Sequence, residues 1–489
     1  MVSACDSDGG DTTPDAPDQP RCVPVAGAAA DVVTTTSGVL RGARDGETFA
    51  FKRVAFAAPP TGDARYAPPQ PVSCPDGEVD ATMLGPRCPQ LDANAFVGDE
   101  DCLHLNVWAP AAAAATPRPV MVWIHGGGNS QGTAVDPIYD GRRLAEAGDV
   151  IVVTTNYRLG QLGFLAHAGF GEGNGVFGLL DQIAALTWVR DNIAAFGGDP
   201  ANVTIMGESA GARDVCSLVA SPPAKGLFHR AIMQSGSCKG LPLRARAEQN
   251  GADVAAAVGC DTAADVAACM RGVPAEMVIR ALPPDISALT SSPYQPMIDG
   301  IVQTDQPANV IAAGIHAAVP FVVGANADET ANSAPPIMTV MQYESLVRMQ
   351  LPPTIADAAL QRYPASAFPT PRAAYVRLTT DARFVCPSRE IAKAADAGQS
   401  ATVYRYFFQY RQPLAVHGLD VPFVFGTFSA IMTPNGPFQP TATDLAVAGV
   451  VQGYWSRFAR SGDAGGTPAW PVYDANDSTL VLDAATTTA

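Results

Sequence analysis

The segment from Val203 to Leu218 constrains this chain more than any other. A β-branched run, Val203–Met206, ends in Gly207-Glu208-Ser209-Ala210-Gly211 and passes at once into a helical stretch, Gly211–Leu218. A Gly-x-Ser-x-Gly string is weak on its own. Its position between a strand and a helix is what carries meaning, because the glycines permit a tight turn that holds a strained serine above the end of a sheet. A serine hydroxyl is a poor nucleophile at neutral pH, so it needs a base to take its proton. It also needs backbone donors for the negative charge that develops on the substrate.

The surroundings fit that requirement. Val120–Ile124 and Val150–Thr154 are apolar runs short enough for buried parallel strands. Leu179–Phe196 has helical spacing and is stopped by Gly197-Gly198-Asp199-Pro200. Thr48–Phe56 and Leu103–Trp108 predict earlier strands, with prolines in the turns between them. Strands alternating with helices predict an α/β fold whose mostly parallel central sheet has helices on both faces. His125-Gly126-Gly127-Gly128 follows the first apolar run, and residues without side chains let backbone N–H groups approach a substrate oxygen closely. The N–H groups of Gly127, Gly128 and Ala210 are therefore the candidate oxyanion-hole donors. A phosphate loop would end in Gly-Lys-Ser/Thr, whereas Asn129-Ser130-Gln131 follows here.

Composition narrows the partners. The formal charge is −16, and only Lys52, Lys225, Lys239 and Lys393 are lysines. Nucleic acids and anionic membranes need a basic footprint that such a chain does not offer. No apolar run approaches the roughly 18 residues of a membrane span. The ten cysteines include no Cys-x-x-Cys pair and no zinc-like His/Cys cluster, so neither a metal nor a cofactor is expected. Several cysteines fall in short-separation couples, and disulfides formed in an oxidising compartment fit them better than buried thiols. Export from a bacterial cell to the periplasm, the surface or the medium is the expectation. Val2-Ser3-Ala4-Cys5 resembles the lipobox of bacterial lipoproteins and precedes the acidic Gly/Thr/Pro-rich stretch Asp6–Pro20. Residues 1–31 are thus expected to be a disordered acidic tether with a candidate lipid anchor at Cys5, and residues 32–489 one large domain.

Three stretches resemble the type-B carboxylesterase family: Glu100-Asp101-Cys102-Leu103-His104-Leu105-Asn106-Val107-Trp108, then Val120-Met121-Val122-Trp123-Ile124-His125-Gly126-Gly127-Gly128, then Gly173-Asn174-Gly175 through Asp181-Gln182 and Trp188-Val189 to Ser209. The likeness begins near Val32 and still holds at Trp455–Asp463 and Trp470-Pro471-Val472-Tyr473. It implies an α/β-hydrolase fold and a serine esterase that works through an acyl-enzyme with a Ser-Glu-His triad. Triads of this fold run Ser, acid, His along the chain, so His229 and His316 come too early and His417 is the expected base. The acid implied is Glu329, in Gly324-Ala325-Asn326-Ala327-Asp328-Glu329. The family's loop continues with Gly where this chain has Thr330, which keeps Asp328 as the alternative acid. Glu208 resembles an auxiliary family carboxylate near the site.

The same resemblance implies an Arg158–Asp181 scaffold pair and disulfides Cys88–Cys102 and Cys260–Cys269. Cys216, seven residues past Ser209, and Cys238, just after Gln234-Ser235-Gly236-Ser237, fall where neighbouring elements would let them form a third. Choline-ester specialists carry a Trp between the cysteines matching Cys88 and Cys102. The stretch Pro89–Asp101 holds Phe96 and no Trp, so there is no cation–π seat for a quaternary ammonium. The expected substrate is an uncharged short- to medium-chain carboxylic ester. A lipase or polyester hydrolase of the same fold is the alternative. A non-catalytic adhesion member is the remaining reading, disfavoured because Ser209, Glu329, His417 and the glycine loop are all present.

Overall fold

A computed structural model of the chain describes residues 30–283, 292–410, 414–433 and 436–488. Cys5 and the predicted tether up to residue 29 lie outside them.

Eleven strands form one sheet: β1 (Ala43–Asp45), β2 (Thr48–Ala55), β3 (His104–Pro110), β4 (Arg118–Ile124), β5 (Ile151–Thr155), β6 (Gly198–Glu208), β7 (Arg230–Gln234), β8 (Phe321–Asn326), β9 (Val403–Phe408), β10 (Leu480–Leu482) and β11 (Thr487–Thr488). Their order across the sheet is β11-β10-β9-β8-β7-β6-β4-β5-β3-β2-β1. Everything from β5 to β10 is parallel, and antiparallel strands close both edges. Strand β6 starts earlier than its apolar run implies. Gly198 already pairs with Arg118, and the register shifts before Val203 meets Val120.

The central strands are buried on both faces, which is why they read as continuous apolar runs. Successive side chains point to opposite faces. Val120, Val122 and Ile124 join one core with Val153 and Ile205, while Met121 and Trp123 join the other with Val152 and Met206. Helices α1 (Phe177–Asn192) and α2 (Ala210–Ala220) cover the first face through Leu179, Leu186, Val215 and Leu218. On the same face, α3 (Pro371–Thr380) leads through a turn of π-helix, Asp381–Val385, into α4 (Cys386–Gly398), which adds Ile391 and Ala395. Helix α5 (Ala442–Ser461) covers the second face with Val451, Trp455 and Phe458. A capping box of Thr441 and Asp444 begins α5, and left-handed Gly462 ends it.

The expected scaffold pair is present. Arg158 Nε and Nη2 donate to the two oxygens of Asp181 at 2.8 and 2.7 Å, with both side chains almost wholly buried. The disulfides are Cys88–Cys102, Cys216–Cys238 and Cys260–Cys269, each a typical contribution of about 2–4 kcal/mol. Cys74 is also disulfide-bonded, and Cys386 is a free thiol. The three bridges are consistent with an exported protein. Among the described residues, no helix is long and apolar enough to cross a membrane.

Candidate active site

In an open parallel sheet the strands deliver their following loops to one edge, the carboxyl edge, where ligands bind. Five strands meet there. The glycine loop follows β4, Ser209 follows β6, Ser235 follows β7, Glu329 follows β8 and His417 follows β9.

Ser209 has φ 59° and ψ −118°, a conformation that side chains other than glycine avoid. Its N–H is held by Gln234 O at 2.9 Å. The flanking glycines are required by contact. A Cβ on Gly211 would lie 2.1 Å from Ile124 O, and one on Gly207 would lie 2.6 Å from the Gly211 carbonyl carbon. The elbow thus packs backbone to backbone against the end of β4.

That packing aligns Ser209 with the glycine loop. Gly127 and Gly128 both have positive φ, and a Cβ on Gly127 would sit 2.1 Å from Gln131 O. Asn129 anchors the loop from below. Its amide donates to Asp214 Oδ1 at 3.0 Å, and its oxygen accepts from Tyr157 OH at 3.0 Å, a hydroxyl also 2.8 Å from His125 O. Gln182 donates to Asp214 Oδ2 at 2.6 Å. Burial pushes the Asp214 carboxyl up to about 6, although these donors oppose the shift. Ala210 opens α2, where free N–H groups and the helix dipole favour negative charge.

His417 is oriented from the far side. Its Nδ1 lies 2.6 Å from Glu329 Oε2, and Glu329 Oε1 accepts the Asn326 N–H at 2.7 Å. Asn326 also donates to Val416 O at 2.8 Å and to Asp420 Oδ1 at 3.2 Å. Asp420 Oδ2 accepts from Gln234 at 2.8 Å and from Tyr406 OH at 2.7 Å. The histidine loop is therefore tied to the ends of β7, β8 and β9. Asp328, the alternative acid, instead accepts the Ala415 N–H at 3.1 Å. Thr330, where the family has Gly, is buried and shares a 2.5 Å contact with Thr379 Oγ1, docking the acid loop onto α3.

Glu208 stands on the other side of the imidazole. Its Oε1 lies 3.1 Å from His417 Nε2, close enough for strong attraction but not aligned as a hydrogen bond. Burial pushes the Glu208 carboxyl up to about 8, with His417 opposing and Asp420 and Glu329 adding to the rise. Burial disfavours the His417 imidazolium, yet Glu208 and Glu329 outweigh it and raise the group to about 9.

All seven residues singled out in the sequence (Gly127, Gly128, Glu208, Ser209, Ala210, Glu329 and His417) line one cleft of about 390 Å³. His229 and His316 lie elsewhere, against Val203 N–H and the Gln399 side chain. The cleft also gathers residues that sequence reasoning did not single out, including Arg213, Ser235, Lys239, Arg383 and Phe384. The Phe384 ring lies 4.8 Å from that of His417. Asp420 did leave a signal, as an acid three residues past His417 and beside the apolar run Val421–Phe425.

Known proteins share this arrangement of sequence and fold. The profile of the carboxylesterase family matches residues 29–489. The chain is 33% identical over 480 residues to the para-nitrobenzyl esterase of Bacillus subtilis strain 168, covering 92% of this chain and 94% of that protein. It is 36% identical over 481 residues to the fumonisin B1 esterase of Sphingopyxis macrogoltabida, covering 92% and 87%. Among solved structures, a para-nitrobenzyl esterase superposes with a TM-score of 0.82 at 33% identity, over 94% of this chain and 97% of the other. A carboxylesterase of Geobacillus stearothermophilus gives the same TM-score at 34% identity, over 94% and 97%.

Proposed function

The chain belongs to the carboxylesterase family and is an ester-hydrolysing enzyme of α/β-hydrolase fold, and from that premise we propose that Ser209, His417 and Glu329 carry its reaction. The observation that supports the assignment best is the 2.6 Å contact between His417 Nδ1 and Glu329 Oε2, in a cleft that also exposes the strained Ser209.

In this mechanism Ser209 Oγ attacks the ester carbonyl while His417 Nε2 takes the hydroxyl proton. Negative charge moves to the former carbonyl oxygen, and the N–H groups of Gly127, Gly128 and Ala210 stabilise it. Collapse of this intermediate breaks the bond to the alcohol oxygen, which leaves with the proton from His417. Water then attacks the acyl-Ser209 ester, giving its proton to His417, and the second collapse releases the acid and returns the proton to Ser209. Glu329 holds one imidazole tautomer and stabilises the imidazolium. Glu208 is auxiliary, tuning His417 from its other face.

The substrates in this reading are small-molecule carboxylic esters of short to medium chain. Residues 32–489 act as one domain, a reading supported by a single sheet that runs from Ala43 to Thr488. Export and a lipid anchor at Cys5 belong to the same proposal, supported by the three disulfides and by Val2–Cys5. Cell fractionation with and without Cys5→Ala tests the anchor. For the mechanism, Ser209→Ala is expected to lose nearly all 4-nitrophenyl ester hydrolysis while keeping its circular dichroism spectrum. Retained hydrolysis would overturn the assignment.

A further inference from the structure

Cys74 is disulfide-bonded, yet among the described residues every other cysteine is already accounted for. Of the ten cysteines in the chain, six form the three bridges above and Cys386 is a free thiol. The partner of Cys74 is therefore Cys5 or Cys22, the two that precede residue 30.

The fold places Cys74 within reach of the start of the described chain. Cys74 is exposed, and its Sγ lies 3.9 Å from Thr36 O. Thr36 follows the strand Val32–Thr35, which pairs with Gly38–Arg41. Ahead of that strand, Asp31 O accepts the Gly42 N–H at 2.8 Å. At about 3.3–3.6 Å per residue, Ala30 lies within about 20 Å of Thr36, and the chain from Cys22 to Ala30 spans up to about 28 Å. Cys22 can therefore return to Cys74 without strain on the hairpin.

Charge separates the two candidates. Asp76, Glu78 and Asp80 follow Cys74 and are all exposed. Arg41 answers Glu78 at 2.8 Å but also pairs with Asp31, so the surroundings of Cys74 stay acidic. Cys5 is followed by Asp6, Asp8 and Asp11, and bringing it to Cys74 would set acid against acid. Cys22 follows Arg21, and no acid lies between Asp18 and Asp31. The approach of Cys22 is thus attractive where that of Cys5 is repulsive. In the export reading, moreover, the Cys5 sulfur belongs to a lipid thioether, which leaves it no bond for a disulfide.

Building on the export reading above, which supplies an oxidising compartment, we propose that Cys22 is bonded to Cys74, a fourth bridge that ties the N-terminal segment to the domain and leaves Cys5 available for lipid. The bond forms by exchange with a protein disulfide oxidant of that compartment. One thiolate attacks the oxidant's disulfide, and the second displaces it. The two thiols lose two protons and two electrons, and the oxidant leaves as a dithiol. The same oxidant serves the other three bridges. With lipid on Cys5, the bridge sets the length of the tether. From Cys5 to Cys22 the chain spans at most about 60 Å, against about 90 Å from Cys5 to Asp31, so the domain is held nearer the membrane.

To test this, the full chain, produced in a bacterial periplasm, is alkylated without reduction and digested with trypsin. Cleavage after Arg21, Arg41, Arg65 and Arg87 places Cys5, Cys22 and Cys74 in three different peptides. The expected product is Cys22–Arg41 joined to Tyr66–Arg87, lighter by two hydrogens than the separate peptides and split by a reductant. Alkylated Cys74, or Tyr66–Arg87 joined to the peptide that holds Cys5, would overturn the proposal and leave the other three bridges, and export with them, standing. Alkylation of every cysteine would remove the export reading and this proposal together. The variant Cys22→Ser gives an independent readout. It should unmask one thiol to a maleimide, at Cys74, without changing the hydrolysis of 4-nitrophenyl acetate, whereas Cys5→Ala should unmask none. The reverse pattern would assign the bridge to Cys5 and overturn the proposal.

Discussion

Glu208 Oε1 lies 3.1 Å from His417 Nε2, the ring nitrogen that faces away from Glu329 and that receives the serine proton in the proposed mechanism. Two carboxylates therefore bracket one imidazole, and the pH dependence of the enzyme follows from this. Burial opposes charge on His417, but Glu208 and Glu329 raise it to about 9. A general base works only when neutral, so kcat/KM should rise with pH through the His417 value. Glu208→Gln removes one source of stabilisation of the imidazolium. The rising limb of the profile should move to lower pH by about one unit. Rates measured from about pH 5 to about pH 10 on an uncharged ester check this. An unmoved limb would mean that Glu208 exerts no charge on His417.

Glu329 and Asp328 separate cleanly by mutation. Glu329→Gln should lower kcat by up to about 10⁴-fold with little change in KM, because the wrong imidazole tautomer is then held. Asp328→Asn keeps an acceptor oxygen for the Ala415 N–H and leaves the Glu329–His417 contact in place, so its loss should stay within about tenfold. The reverse order of effects would reassign the acid.

Much of the site was legible because its chemistry lies in short strings. Gly207–Gly211 and His125–Gly128 announce themselves through glycines whose Cβ atoms would strike backbone. Triad order along the chain then isolates His417. The central strands were legible because burial on both faces leaves uninterrupted apolar runs such as Val120–Ile124. Their ends were less so. Gly197-Gly198-Asp199-Pro200 reads as a turn, yet Gly198 pairs with Arg118 through a register shift that depends on the neighbouring strand. The π-turn at Asp381–Val385 leaves no local sign either. Arg383 therefore reads as an ordinary helix-surface base, and only the cleft lining it shares with Glu329 and His417 reveals its place.

The Arg158–Asp181 pair tests how the scaffold tolerates buried charge. Asp181→Ala leaves a guanidinium buried without its partner and should destabilise by about 3–5 kcal/mol. For a chain of this size that is a fall in Tm of about 3–5 °C. Replacing both residues, as in Arg158→Met with Asp181→Leu, should recover much of the loss. Thermal unfolding of the two variants decides. Equal losses in the single and double variants would mean that the pair's many hydrogen bonds, and not the stranded charge, dominate.

Gly211→Ala should separate the elbow's catalytic task from its structural one. The added Cβ would meet Ile124 O at 2.1 Å and His125 O at 2.8 Å, both backbone atoms at the entry to the glycine loop. Neither can withdraw as a flexible side chain would, so α2 and the end of β4 must move apart. That motion carries Gly127 and Gly128 away from Ala210, whose N–H groups must converge on one oxygen. Losing one such donor typically costs about 10²–10³ in kcat, and overpacking costs about 1–3 kcal/mol of stability. Activity should therefore fall steeply in a protein that still unfolds cooperatively. Gly449→Ala is the control, since a Cβ on that exposed glycine of α5 would meet nothing within 4 Å. There the smaller entropy loss on folding should stabilise by about 0.5–1 kcal/mol without touching kcat. If Gly211→Ala kept full activity, the convergence of the three donors on one oxygen would not depend on this contact.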